Sequence, residues 1–286
     1  RKIMQVDKPA KPTLIRQKKG KIKAKSQFFR TARYGLTLQE HRIVYFAILR
    51  GQQLKRPFEP VTISIKEFMA LCDLKGKSTY SVLRNISKKL LSRVIEVVYY
   101  NDEGTHLMQT NWISEFTYHL KQGTVTVTPN KTLQPFFEGK PYSETEYYFL
   151  IKFTSQYAER LYEIIKSFDH KTSADFEVDD LRKRLAVPEG QYVNYSMMRK
   201  RVLEPAVKDI NEYTDLDITM HEKRGARNKV TDVIFTITKR NVPLLYDRVR
   251  AGEFDPPLSD EEQQITLEEL LAGEDDQTAI EANIVE

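Results

Sequence analysis

Eight cations crowd two short stretches in the second half of the chain: Arg199, Lys200, Arg201 and Lys208, then Lys223, Arg224, Arg227 and Lys229. On a helical wheel over residues 194–213, Met198, Val202, Ala206 and Ile210 line one face, with Leu203 and Val207 beside them. Met197, Lys200, Arg201, Glu204, Lys208 and Asn211 form the opposite stripe. A helix is narrow enough to enter a major groove, where Lys and Arg can reach base edges. Lys200 and Arg201, near the helix start, suit base or phosphate contact, with Tyr195, Ser196 and Met197 in the opening turn. Arg199 falls nearer the apolar sector, so a phosphate contact or a packed stem suits it better. Exposed helices also carry Lys and Arg simply because those residues suit water. The following turn, His221-Glu-Lys-Arg-Gly-Ala-Arg-Asn-Lys229, shifts the balance, because a basic wing beside a basic helix makes a grip on both groove and backbone.

Other chemistries are weaker. Gly76-Lys77-Ser78-Thr79 is like the end of a phosphate-binding loop, but Leu71 stands where that motif needs its first glycine. The five histidines, His41, His106, His119, His170 and His221, form no pair at metal-ligand spacing and read as surface or packed singletons. A tyrosine-dependent nicking enzyme would need such a metal cluster beside its nucleophile, so the 15 tyrosines argue nothing by themselves. Cys72 is the single cysteine, which excludes an internal disulfide and fits a reducing cytosol. Trp112, Phe136, Phe137, Tyr147, Tyr148 and Phe149 read as core, with single-strand stacking a minor alternative. No catalytic residue, metal or cofactor is expected.

The elements that must position these residues are legible from period and punctuation. Residues 36–53 are helical, with Thr37 and Glu40 as a capping box. A short strand at 61–65, a short helix at 66–73 and a longer helix at 78–93 follow. Four strands come next (94–100, 105–113, 115–120 and 124–128), joined by turns at 101–104 and 121–123. The second half repeats the order: helix 154–168, strand 176–178, helix 179–186, long helix 194–213, hairpin 216–220 and 230–238. Pro205 should bend the long helix. Tyr80-Ser-Val-Leu-Arg84 and Tyr195-Ser-Met-Met-Arg199 lie 115 positions apart, and Thr37, Gln39, Tyr45 and Ile48 find Thr154, Gln156, Tyr162 and Ile165 at an offset of 117. These matches predict an α+β protein of two tandem winged helix-turn-helix domains related by internal duplication.

The expected divisions are a basic flexible arm (1–27), an N-terminal domain (28–150), a C-terminal main reader (151–250) and an acidic, disordered tail (251–286). Residues 251–286 hold twelve acids and no Lys or Arg, which leaves +17 on residues 1–250, while the arm over 1–25 is +9. Local charge of that size favours a polyanionic partner. A short tail helix around Ile265, Leu267, Leu270 and Leu271 is less favoured than chance spacing, and the tail could compete with DNA for the basic surface. The first domain offers Lys75, Lys77, Ser81, Arg84 and Lys88 around its long helix. Its wing, read as Asn101-Asp-Glu-Gly-Thr105, is acidic and should avoid phosphate. No run reaches a membrane span, and residues 1–25 lack an apolar signal-peptide stretch.

Phe176-Glu-Val-Asp-Asp-Leu-Arg182, Tyr195 with Arg199, Arg201-Val-Leu-Glu-Pro-Ala-Val207, Asp209-Ile-Asn211 and the 224–229 hairpin together resemble the theta-type, iteron-binding plasmid replication initiators. Residues 36–49 are similar too, so the likeness covers about 28–240. The resemblance implies two winged helices in successive major grooves of one direct repeat. Monomers would open the origin and recruit host helicase or its loader. Dimers joined through the first domain would repress transcription or limit copy number. Two reading helices on one face of the duplex lie roughly 10 bp apart, so one monomer should cover about 20 bp of non-palindromic sequence. A transcription regulator of the same fold, or a nicking enzyme, remains as the alternative.

Overall fold

The computed structural model describes residues 21–72, 79–139 and 142–240. The expected acidic tail, residues 1–20 of the basic arm, and Lys75, Lys77 and the Gly76-Lys77-Ser78 triplet lie outside the described residues. Order begins earlier than the sequence suggests. Strand β1 (Lys21–Lys25) pairs antiparallel with β7 (Tyr142–Glu146), and α1 (Ser26–Thr31) buries Phe28 and Phe29. The alternation of Ile22 and Ala24, both fully buried, was hidden by the lysines around them.

Helix α2 (Leu38–Gln53) starts at the expected capping box: the Glu40 amide donates to Thr37 Oγ1 at 3.3 Å and the Thr37 amide to Glu40 Oε2 at 2.8 Å. Arg93 then covers the buried Glu40 carboxylate at 3.0 Å. After α2 come β2 (Val61–Ser64), α3 (Ile65–Leu71) and α4 (Thr79–Leu91). Four strands follow: β3 (Val94–Asn101), β4 (Gly104–Asn111), β5 (Ile113–His119) and β6 (Thr124–Pro129). Trp112 sits at the centre of this half, edge-on to Phe28, Tyr34 and Phe137.

The second half runs α5 (Tyr147–Lys152), α6 (Gln156–Lys166), β8 (Ser173–Glu177), α7 (Val178–Arg184), α8 (Tyr195–Met198), a π turn (Arg199–Leu203), α9 (Glu204–Tyr213), β9 (Leu216–Arg224) and β10 (Val230–Lys239). Its sheet has the order β8-β10-β9, and the first half has β2-β6-β5. In both, the strand before the long helix pairs with the last strand of the closing hairpin. The two halves therefore share one topology, and β5–β6 is the counterpart of β9–β10. This corrects the reading of the first wing. The acidic turn at 101–105 joins β3 to β4, an extra two-stranded hairpin inserted before the true wing. The true wing turn is Leu120–Gln122 with Gly123, and it carries exposed Lys121.

The expected boundary near residue 150 falls within α5, and α6 is buried by both halves. Its residues Glu159, Arg160 and Glu163 are all buried. Tyr34 donates to Glu163 Oε2 at 2.6 Å, Tyr45 donates to Oε1, and Arg160 Nη1 reaches Oε2 at 3.1 Å. The Arg160 guanidinium also donates to the carbonyls of Phe29 and Ala32, at 3.0 and 2.6 Å. His41 lies 2.7 Å from Glu159 and 3.3 Å from Glu163. This histidine is packed, as expected, and its two carboxylate partners tie α2 to α6. Gly35 approaches Ala186 at the same junction, where an added methyl would stand 3.0 Å from the Ala186 Cβ.

Burial works against a charged His41, but Glu159 and Glu163 outweigh it and push its pKa up to about 10 from 6.5. Burial likewise opposes a charged Glu163, yet His41 and Arg160 hold it below its usual range. A raised folded-state pKa contributes stability that is complete below about 6.5 and is lost as pH climbs toward 10. His41→Gln should therefore cost about 3 kcal/mol at pH 6, because it strips one partner from a buried charge. Urea melts of both proteins should show the gap shrinking between pH 7 and pH 10; a constant gap would mean that His41 is neutral in the folded chain.

Candidate nucleic-acid interface

The helix from Tyr195 to Tyr213 divides as its sequence period requires. Met198, Val202, Leu203, Ala206 and Ile210 are buried, while Ser196, Met197, Arg199, Lys200, Arg201, Glu204 and Lys208 are exposed. Asn211 leaves the outer stripe: its Nδ2 donates to the Ile218 carbonyl at 2.9 Å, and the Ile218 amide donates back to Oδ1 at 2.8 Å. Backbone dihedrals stay helical across both junctions, so the rod is continuous.

Pro205 acts one turn before itself. In a regular α-helix its ring would collide with the carbonyl four residues back and leave it without a donor. The chain widens instead into a π turn over Arg199–Leu203, closed by the Glu204 amide donating to the Arg199 carbonyl. The wider turn leaves Arg199, Lys200 and Arg201 all on the outside, three cations in succession. Arg199 is thus neither a packed stem nor free. Its Nε lies 2.9 Å from Glu204 and its Nη1 2.9 Å from Glu222 on β9.

The loop before the helix is pinned by Arg182, which donates to the carbonyls of Gln191 (2.7 Å) and Tyr192. Pinning leaves Val193 78% exposed, and Met197 one turn on is 49% exposed. Apolar groups at a helix start can meet thymine methyls in a major groove. Val193 was not singled out from sequence, although two apolar residues flanking an N-cap asparagine are a readable signal. Tyr195 is half-buried, and burial, then the neighbouring Glu222 carboxylate, raises its pKa.

At the hairpin tip Lys223, Arg224, Arg227 and Lys229 are all exposed. Arg224 donates to Glu222 at 2.7 Å and to the Asn228 carbonyl at 3.2 Å, and Lys223 stands 3.8 Å from Asp232. A side chain at Gly225 would stand 2.8 Å from Thr231 Cγ2, so Thr231 would have to shift to admit one. Lys200, Arg201, Lys208, Arg227 and Lys229 form no ion pair or side-chain hydrogen bond among the described residues. The Arg199–Glu222 pair brings the helix start against β9, the strand that leads to the wing tip.

In the first half, Ser81, Arg84 and Lys88 lie on the exposed face of α4, opposite buried Leu83, Ile86 and Leu90. Lys121 is the residue that sequence reading missed, since it took the wrong hairpin for the wing. No group of three or more metal-ligating side chains occurs among the described residues. Cys72 is buried, and burial, opposed by Arg42, pushes its thiol up to about 12. No described helix is long and apolar enough to cross a membrane.

Duplicated sheets of one order, each closed by a hairpin that follows a long helix with an exposed basic face, define a tandem winged-helix protein. Residues 21–166 match the family model described as "Initiator Replication protein, WH1", and residues 177–237 match "Initiator Rep protein, WH2". The chain belongs to this initiator replication protein family. A "Replication initiation protein" of Escherichia coli is 21% identical over 203 residues, covering 68% of this chain and 63% of that relative. This chain's match thus spans somewhat under two thirds of the relative's length. Among solved structures, a "Pi initiator protein in complex with iteron DNA" superposes with a TM-score of 0.57 at 17% identity, covering 79% of this chain and all of that one. That likeness is one of fold.

The Asn211–Ile218 clamp ties α9 to the first half of β9. Asn211→Ala should cost about 1–3 kcal/mol by stranding two backbone groups of Ile218. Hydrogen exchange should show the Ile218 amide opening faster, with α6 unaffected; equal protection in both proteins would remove the clamp from the account.

Proposed function

We propose that this chain initiates plasmid replication by binding directly repeated double-stranded DNA at the origin, with the C-terminal domain as main reader. The observation that carries the reading is the row of unpaired cations, Lys200 and Arg201 on the helix beside Arg227 and Lys229 on the wing. Membership of the initiator family and the fold shared with a protein solved on iteron DNA support it. Lys200 and Arg201 read bases, with Ser196 and Met197 in the opening turn. Lys208, Lys223, Arg227 and Lys229 neutralise phosphates. The first domain adds an auxiliary contact through Ser81, Arg84 and Lys88, with Lys75 and Lys77 at the helix entry and Lys121 at its wing.

The act is one of binding rather than catalysis: the bound chain loosens adjacent AT-rich duplex and recruits host helicase or its loader. A dimer joined through the first domain represses transcription or limits copy number. The inserted β3–β4 hairpin supports that role, because its outer face carries Tyr100 and Leu107, each 63% exposed. Such apolar area invites a partner.

Footprinting tests the proposal. Protection of about 20 bp per monomer on direct repeats is expected, two helical steps of the duplex. Protection confined to inverted half-sites would assign the chain to transcriptional regulation instead. Lys200→Ala or Arg201→Ala should lose about 1–3 kcal/mol on the selected site and relax discrimination at one position. Arg227→Ala should weaken all sequences alike and reduce the slope of log K against log salt by about 0.9. A sequence-selective loss would move Arg227 from backbone to base.

A further inference from the structure

Two arginines of the second domain, one on the helix and one on the wing, meet at a single glutamate. Arg199 on the helix and Arg224 on the wing share the carboxylate of Glu222: Arg199 Nη1 lies 2.9 Å from Oε1 and Arg224 Nη2 lies 2.7 Å from Oε2. The Glu222 side chain is only 12% exposed, and Glu204 holds the other side of Arg199 at 2.9 Å. One anion gripping two guanidiniums is the geometry in which a backbone phosphate would be held. Here the protein supplies that anion itself, at the joint between helix and wing.

We infer that Glu222 is a specificity-determining residue, whose carboxylate withholds Arg199 and Arg224 from duplex phosphates and uses them as struts fixing the wing against the reading helix. The inference rests on the DNA-binding reading above and concerns how that surface rejects wrong sequences. Affinity for arbitrary duplex grows with the number of phosphates neutralised, whereas discrimination comes from base contacts. Two guanidiniums left free would raise binding to every sequence. Pairing them internally keeps that background low and leaves Lys200 and Arg201 to decide the difference. The struts also hold the wing at one distance from the helix, so base and backbone contacts are made in one register.

The test uses the full chain as wild type, Glu222→Gln, Arg199→Ala and the double variant. Two probes of about three helical turns serve: a random-sequence duplex, and one selected by the wild type from a random pool. Glu222→Gln should bind the random duplex severalfold more tightly, with a salt slope steeper by about 0.9–1.8, as one or two more phosphates are engaged. Its preference for the selected duplex should fall. Arg199→Ala should leave the wild-type slope on random duplex unchanged, yet remove about 0.9 from the slope of Glu222→Gln. Arg224→Ala offers the same comparison from the wing, should Glu222→Gln lower the melting temperature. An unchanged slope in a folded Glu222→Gln protein, equal gains on both probes, or a flattened slope for Arg199→Ala alone would overturn the inference. Absence of salt-dependent wild-type binding to either probe would instead remove the DNA-binding reading on which it stands.

Discussion

The geometry of this molecule depends on one buried carboxylate. Glu163 accepts from Tyr34, Tyr45 and Arg160 and faces His41, all of them buried. An isolated charge in such a place would cost several kcal/mol, and it is tolerable only when partnered and hydrogen-bonded. Three of its partners come from α2 and the segment before it, more than a hundred positions away in the chain. The carboxylate is therefore satisfied only when the two halves are docked. Docking in turn fixes the separation and angle of α4 and the α8–α9 rod, the long helices of the two domains. A loose hinge would leave that spacing undefined, whereas a satisfied network permits one arrangement.

Within the second domain a similar logic works at the surface with weaker forces. Asn211 binds both backbone groups of Ile218, and Glu222 gathers an arginine from the helix and another from the wing. Exposed ion pairs of this kind contribute little stability. They sort charge: some cations are committed to internal partners, whereas Lys200, Arg201, Lys208, Arg227 and Lys229 have none among the described residues. The π turn forced by Pro205 serves the same end, since it brings three successive cations to the outer face at the helix start.

Much of this was legible in the residues. Capping chemistry placed α2 within two positions, the 3.6 period sorted Met198, Val202, Ala206 and Ile210 from Lys200 and Lys208, and the order of elements disclosed two winged helices. The errors share one cause. Periodicity says which residues face inward but not which strands pair, so by itself it offers the acidic β3–β4 hairpin as the wing and passes over Lys121. Likewise β1 reads as arm in the sequence, because lysines on the outer face of a strand look like a charge run until its partner strand, about 120 positions away, is in place. A wheel at one angle per residue turns Arg199 toward the apolar sector because it fails across the π turn.

Local chemistry along the chain thus determined the class of fold, the duplication, the location of the basic helix and turn, and the absence of a paired-histidine metal motif, since each depends on neighbours within a few residues. Only the tertiary structure decided which hairpin is the wing, which arginines are already paired, and how α6 joins the halves. Those are matters of contact between residues distant in sequence, and the free energy of a buried or paired charge is set by what surrounds it in space, not by what precedes it in the chain.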